Sequence, residues 1–462
     1  MLGVVGIVVS LALLITLAYR GWNVILIAPL CAGVALLFNW SEAPLLATYT
    51  QVYMPAMGNF IAKFFPLFLL GAVFGKLMED SGAARAIAYG IVKLIGPQRA
   101  ILAVVLACGL LTYGGVSLFV VAFSVYPIAM QLFRSAQIPK RLIPGAIALG
   151  SFTFTMTALP GTPAIQNAIP MPFFHTTPFA APGMGLLAGV FMLVTGMLWL
   201  NRRAASARAA GEGYGEHGDA AEAQVDNAGL PNLWLSLLPL VAVIALNALF
   251  TYLVIPAMNT DYLAQPRFGK ASLSAVLGVW AIVAAMAIAV LMVALLNIRR
   301  FADLRQTFTE GTLGSLLPVC NTAAEVGYGA VVSGLAAFIA FREGLKSAVS
   351  DPLLSVALVV NVLAGLTGSA SGGLSLTLQA MGDYYREAAL AAGINPEVMH
   401  RVAALASGGL DAMPHNGAVI TLLAITRLTH KQAYKDILFC ATVFPVISGL
   451  LIVALNAVFG AF

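Results

Sequence analysis

Apolar residues run along this chain in blocks separated by short polar stretches, with no alternating strand pattern. The blocks fall at 3–19, 22–39, 64–80, 142–172 and 184–200, then at 233–255, 272–297, 315–341, 402–426 and 436–459. Each has the length that predicts a membrane-spanning helix of about 20 residues. Two further apolar stretches, 100–133 and 353–389, carry a Gly/Ser-rich interruption in the middle. They read as re-entrant hairpins that enter and leave on one side of a bilayer. The first block lacks a positively charged leader and a small-residue cleavage site, so it reads as a retained span. The fold expected is an all-α polytopic membrane protein, with about ten transmembrane helices plus two hairpins.

One segment departs from this pattern. Residues 202–232 are charged and rich in Ala and Gly, and predict a disordered linker. The linker separates a first half, 1–201, from a second, 233–462. The halves share features in the same order. Pro66 matches Pro318, Gly75 matches Gly327, and Ser81-Gly82 matches Ser333-Gly334. Gly114-Gly115-Val116-Ser117-Leu118 matches Gly372-Gly373-Leu374-Ser375-Leu376. Five spans per half is an odd number, so the second repeat is expected to be inverted relative to the first.

Composition supports the bilayer: 60% of the 462 residues are hydrophobic and 9% charged, against about 25% charged in soluble domains. The net charge of +5 could suggest nucleic acid, but the basic residues are scattered singly and form no patch. They sort by side instead. With a cytoplasmic linker, most of the 24 Lys and Arg residues lie inside, as the positive-inside rule requires. Lys63, Arg267, Lys270, Arg342, Lys346, Arg386 and Arg401 fall outside, and both termini become periplasmic. His175 is expected at the outer interface. The four cysteines stand alone in apolar runs, without metal-ligand or redox spacing. No cofactor, metal or nucleic acid is expected, and the chain contains no catalytic triad or nucleotide-phosphate loop.

Interrupted helices at corresponding places in two repeats mark the binding site of secondary transporters. Here there are two pairs. The hairpin tips offer Thr112, Gly114, Gly115 and Ser117 in one half, and Ser371, Gly372, Gly373 and Ser375 in the other. A helix begins after each tip, so free N–H groups and the positive dipole end point toward it. The second pair lies in the apolar blocks 142–172 and 402–426, broken by Pro160-Gly161-Thr162-Pro163 and Pro414-His415-Asn416-Gly417. Around these breaks stand Thr162, Gln166 and Asn167, and Asp411, His415 and Asn416. Glu325, Asp411 and His415 are ionisable residues at membrane depth, and such residues are functional candidates by default. A carboxyl that is neutral when dry and charged when wet can couple proton movement to transport. No buried Arg or Lys is expected at either break, which favours neutral donors holding a single carboxylate.

Two segments, FLLGAVFGKLMEDSGAARAIA (Phe68 to Ala88) and GLDAMPHNGAVITLLAITRLTHKQAYKDI (Gly409 to Ile437), resemble the gluconate permease (GntP) family of the ion transporter superfamily. The Pro-His-Asn-Gly stretch is the most specific part. The resemblance implies proton symport of gluconate and related sugar acids, or of short hydroxy acids such as 3-hydroxybutyrate. The segment around His415 looks closer to the short hydroxy-acid branch. The wider superfamily implies a homodimer with elevator-like motion of a transport domain.

The function expected is therefore proton-coupled import of a small hydroxy-monocarboxylate across a bacterial inner membrane. The alternatives are a sodium-coupled di- or tricarboxylate carrier of the same architecture and, further off, an anion channel.

Overall fold

The computed structural model describes residues 2–40, 43–217, 229–340 and 349–460. Every regular element among them is helical. The first half holds α1 (Leu2–Tyr19), α2 (Val24–Leu37), α3 (Leu45–Asp80), α4 (Ala83–Ile95), α5 (Ala100–Tyr113) and α6 (Leu118–Ser135). It continues through the short pieces α7 (Ile143–Ser151), α8 (Phe154–Thr157), α9 (Ile165–Ala168) and α10 (Met171–Phe174) to α11 (Pro182–Ala209). The second half holds α12 (Leu233–Val254), α13 (Leu273–Leu296), α14 (Leu304–Ser333), α15 (Pro352–Thr367), α16 (Ala370–Ala391), α17 (Pro396–Ser407), α18 (Gly417–Thr426) and α19 (His430–Phe459).

Among the described residues, six helices are long and apolar enough to cross a membrane: α3, α6, α11, α12, α13 and α19. A seventh results if α4 and α5, bent by 102°, count as one span. The helices α1, α2, α15 and α18 are shorter apolar segments. Hairpin arm α6 is thus longer and more apolar than the re-entrant reading expects. Leu45–Asp80 begins well before the apolar block at 64 because a π-turn at Tyr49–Tyr53 carries the helix through. Similar π-turns lie at Phe250–Val254 and Phe439–Val443.

The order of elements corresponds between halves. A long proline-containing helix (α3, α14) precedes a hairpin (α5–α6, α15–α16), a broken segment (α7–α9, α17–α18) and a long helix (α11, α19). Helices α3 and α14 pack along one another, as do α5 against α7, α15 against α17, and α11 against α19. The breaks are therefore held inside the bundle, with α8, α9 and α17 almost wholly buried.

The linker is shorter than the sequence suggests. Helix α11 continues through Arg202–Ala209, and Tyr214 beyond it is buried. The reason is pairing: Arg203 Nε donates to the buried carboxylate of Asp436 at 3.0 Å, and Glu212 forms a two-pronged bond with Arg141, both at 2.8 Å. Residues 218–228 of the linker lie outside the described residues, as do Arg342 and Lys346.

Candidate functional site

Each hairpin tip touches the break of its own half. In the first half the Tyr113 hydroxyl donates to the Pro160 carbonyl at 2.7 Å. Gly115 makes this approach possible. Its φ of +96° closes the turn, and a Cβ there would lie 2.9 Å from Pro163 Cγ. In the second half the Asn416 side-chain amide donates to the Gly368 carbonyl at 2.8 Å. The same Asn416 caps α18, its Oδ1 accepting from the N–H groups of Ala418 and Val419 at 2.7 and 3.0 Å.

The first break is closely bonded. The Asn167 amide donates to the carbonyls of Thr162 (3.1 Å) and Pro178 (2.9 Å). This fixes its oxygen toward α17, where it accepts from Arg401 Nη1 at 3.1 Å and meets His400 Nε2 at 3.2 Å. Because an amide oxygen only accepts, His400 donates from Nε2, and its Nδ1 meets the Thr176 hydroxyl at 2.6 Å. The Asn247 amide on α12 adds a bond to the Gly161 carbonyl at 3.0 Å. Thr162 uses its own hydroxyl to accept from the Ala164 N–H at 3.3 Å. Asn167 and Thr162 thus shape the break, and Gln166 beside them keeps a buried Oε1 without a hydrogen-bond partner. Thr112 on hairpin tip one also keeps a buried hydroxyl without a partner.

Arg401 corrects the expectation that no basic side chain is buried at a break. Instead of lying in an outer loop, it has no exposed surface. Its guanidinium donates to the Ala180 carbonyl from Nε (3.1 Å) and Nη2 (2.7 Å), and to the Thr157 carbonyl from Nη1 (3.3 Å). The sequence signal was present in Val398-Met399-His400-Arg401-Val402-Ala403, where a charge sits between apolar neighbours. Its position just before the apolar block 402–426 makes it resemble a loop residue at the end of a span. His175, by contrast, lies toward the surface and contacts Arg386 at 3.1 Å.

The second break is acid-rich and less saturated. Glu325, in the C-terminal third of α14, is buried against the first turn of α16. The contact is so close that a Cβ on Gly372 would overlap its carboxylate, and its Oε2 has no hydrogen-bond partner among the described residues. Around it, Thr322 Oγ1 meets Ser371 Oγ at 3.3 Å, Ser369 caps α16 by accepting from the Gly372 N–H at 3.0 Å, and the buried Ser375 hydroxyl is unpartnered. Gly373 packs against Ala364 of the other hairpin arm. Asn321, one turn before Glu325, also keeps an unpartnered oxygen.

Asp411 lies on the short 3-10 turn Leu410–Ala412 and has an unpartnered buried Oδ1. The Leu410 N–H beside it donates to Asn361 of α15 at 3.3 Å. His415 packs on Gly368, whose Cβ position lies 2.9 Å from His415 Cδ2. Hairpin two is therefore approached by Glu325 through α16 and by Asp411, His415 and Asn416 through α15 and the tip. Of the residues singled out from sequence, Ser117 and Gly114 stand apart from these acids, Gly114 being covered by Leu240. An apolar cavity of about 390 Å³ between α1 and α15–α16 is lined by residues such as Val8, Leu358 and Val362, and is not part of this site.

Among the described residues no group of His, Cys, Asp and Glu side chains could hold a metal ion. What the arrangement offers is two interrupted helices, a first tip whose helix α6 starts without a side-chain cap, a second whose helix α16 is capped by Ser369, and carboxyls held at membrane depth.

The similarities to known proteins agree with this architecture. The chain is 44% identical over 468 residues to the uncharacterized transporter YxjC of Bacillus subtilis (strain 168), covering 98% of each. Among solved structures, the Alcanivorax borkumensis YdaH transporter superposes with a TM-score of 0.59 at 16% identity, over 87% of this chain and 88% of that one. Neisseria gonorrhoeae MtrF, described with a class of antimetabolite efflux pumps, superposes with a TM-score of 0.57 at 15% identity, over 89% and 84%. At such identities the likeness establishes the fold alone: a polytopic, all-α transporter architecture. The GntP family permease model matches residues 1–413, and with the 44% relative this makes the chain a member of the GntP permease family, a membrane transporter.

Proposed function

We propose that this permease imports a small hydroxy-monocarboxylate, of the 3-hydroxybutyrate or gluconate type, together with protons. The observation that carries the reading is the pairing of each hairpin tip with its own break, through Tyr113 to Pro160 and Asn416 to Gly368. Such interrupted helices line a water-accessible path at membrane depth. The anion is held by the helix N-termini behind the tips and by the Thr112 and Ser375 hydroxyls, which have no other partner. Glu325 and Asp411 carry the coupling proton, because each keeps a buried oxygen without a donor. His415 assists at the second tip. Movement of the hairpins with the breaks, past a scaffold formed by a second copy, gives elevator-like alternating access. The protein works in the bacterial inner membrane with the linker in the cytoplasm and both termini outside.

Uptake of labelled 3-hydroxybutyrate and gluconate into proteoliposomes tests this. Accumulation is expected under an imposed inward proton gradient, and a protonophore abolishes it. A second reading, sodium coupling, is favoured by the unpartnered acceptors Asn321 Oδ1 and Glu325 Oε2, with the Ser375 hydroxyl able to accept or donate. Uptake that follows a sodium gradient and ignores pH decides for it.

A further inference from the structure

The two breaks are unlike in charge. The second holds the Asp411 carboxyl, and the first packs on a buried cation of α17 whose bonds all go to neutral acceptors. Arg401 has five N–H donors, and the oxygens they reach belong to Thr157, Asn167 and Ala180. Among the described residues no carboxylate forms an ion pair with it. Glu397, one helical turn earlier on α17, directs its Oε2 to the Ala181 N–H at 3.1 Å instead. His400, the other titratable neighbour on α17, donates from Nε2 to Asn167 and meets the Thr176 hydroxyl, and supplies no negative charge. A buried guanidinium without a directly paired carboxylate is costly, and in membrane proteins such residues bond to backbone carbonyls and mark substrate or ion pathways.

We infer that Arg401 is the specificity-determining charge of the transport site. It makes the first break select an anion, chiefly through its fixed charge and secondarily through the backbone it holds, without touching the substrate. Two effects follow from one geometry. First, the guanidinium places a fixed positive charge behind the break. Second, it withdraws the carbonyl oxygens of Thr157 and Ala180 and the Asn167 oxygen, acceptors that would otherwise repel an anion. What remains near tip one is donor-rich. Helix α6, 18 residues long, begins after Ser117 without a side-chain cap, and the Thr112 hydroxyl is buried without a partner. One fixed charge matches one carboxylate, so the site takes a monoanion in preference to a dianion or an uncharged analogue. This inference rests on the transport reading above.

The experiment uses the full chain in proteoliposomes. Uptake of labelled gluconate and 3-hydroxybutyrate is measured against concentration for the wild type, Arg401→Gln and Arg401→Lys, with the thermal midpoint of each in detergent. Wild-type uptake of either acid upholds the transport reading, and uptake of neither removes that reading and this inference with it. Given wild-type uptake, Arg401→Gln is expected to raise KM by about tenfold or more, equivalent to about 1.4 kcal/mol of anion affinity. It should do so with Vmax largely retained, and competition by the uncharged amides of the two acids should strengthen relative to the acids. Arg401→Lys keeps the charge but loses the planar fork, so its KM stays near wild type while its thermal midpoint falls. A folded Arg401→Gln variant with wild-type KM and wild-type discrimination overturns the inference. Should the Gln variant fail to fold, the Lys variant decides. Retained KM at reduced stability supports the charge, and a KM lost in step with stability means that Arg401 is only structural.

Discussion

Asn416 and Gly368 lie 48 positions apart in sequence, yet the side chain of one donates to the backbone carbonyl of the other at 2.8 Å. The bond ties the second break to the second hairpin tip with the same side chain that caps α18. Asn416→Ala removes both functions. Loss of the cap costs about 0.5–2 kcal/mol, and the tip loses its tether. A lowered thermal midpoint and reduced uptake are expected. Asn416→Asp separates the two, because a carboxylate still accepts from Ala418 and Val419 but donates nothing to Gly368. Its midpoint should stay close to wild type while uptake falls. Equal stability and equal uptake in the Asp variant would show that the tether is dispensable.

The parts of this site that sequence makes legible are those written in local chemistry. Pro160-Gly161-Thr162-Pro163 and Pro414-His415-Asn416-Gly417 announce broken helices because proline and glycine act on their own backbone. Glu325 stands out because a charge inside an apolar block is costly wherever the block is buried. The linker boundary and Arg401 are different in kind. Helix α11 extends to Ala209 because Arg203 finds Asp436, 233 positions away, and Arg401 reaches Thr157 and Ala180 across more than two hundred positions. Such partners are set by packing, and no window of sequence contains both. The roles of Asn167 and Asn416 divide along the same line. Their polarity marks them as site residues, but only the structure shows that their amides are occupied in holding backbone.

Glu325 sits where a neutral isostere is informative. Glu325→Gln keeps the volume and removes the titrating proton, so the packing against Gly372 should survive. Exchange of labelled for unlabelled substrate across the membrane needs no net proton movement and should continue. Accumulation driven by a proton gradient should vanish. Accumulation that persists in the Gln variant would move the coupling role to Asp411.

The closeness of Glu325 to α16 can itself be tested. A methyl group on Gly372 overlaps the Glu325 carboxylate, so Gly372→Ala forces the hairpin away from α14. Overpacking of this kind costs about 1–3 kcal/mol. In a Glu325→Ala background the same methyl meets space. The double variant is therefore expected to be more stable than the sum of the two single effects predicts, with a coupling of about 0.5–3 kcal/mol in thermal or denaturant unfolding. Strict additivity would mean that the two residues do not touch.

At the far end of α11, the Arg141–Glu212 pair gives a pH signature with a defined sign. The two hydrogen bonds from Arg141, and then its positive charge, hold the Glu212 carboxyl below its ordinary value of 4.5. A carboxylate whose folded value is depressed contributes stability that is fully present above the unfolded value. That contribution is lost as pH falls through the folded value. Glu212 is partly exposed, with 42% of its side chain accessible, so solvent screens the pair. Its worth falls in the range of about 0.2–1 kcal/mol found for such pairs. Glu212→Gln should therefore lower the thermal midpoint slightly and by a constant amount from pH 7 down to about pH 5. The difference should shrink below that and disappear once the wild-type carboxyl is protonated. Raised salt should narrow it at neutral pH as well. A difference between wild type and variant that stays constant into the acid range would show that Glu212 acts by shape rather than charge. In that case the order of residues 210–217 would rest on the buried Tyr214 instead.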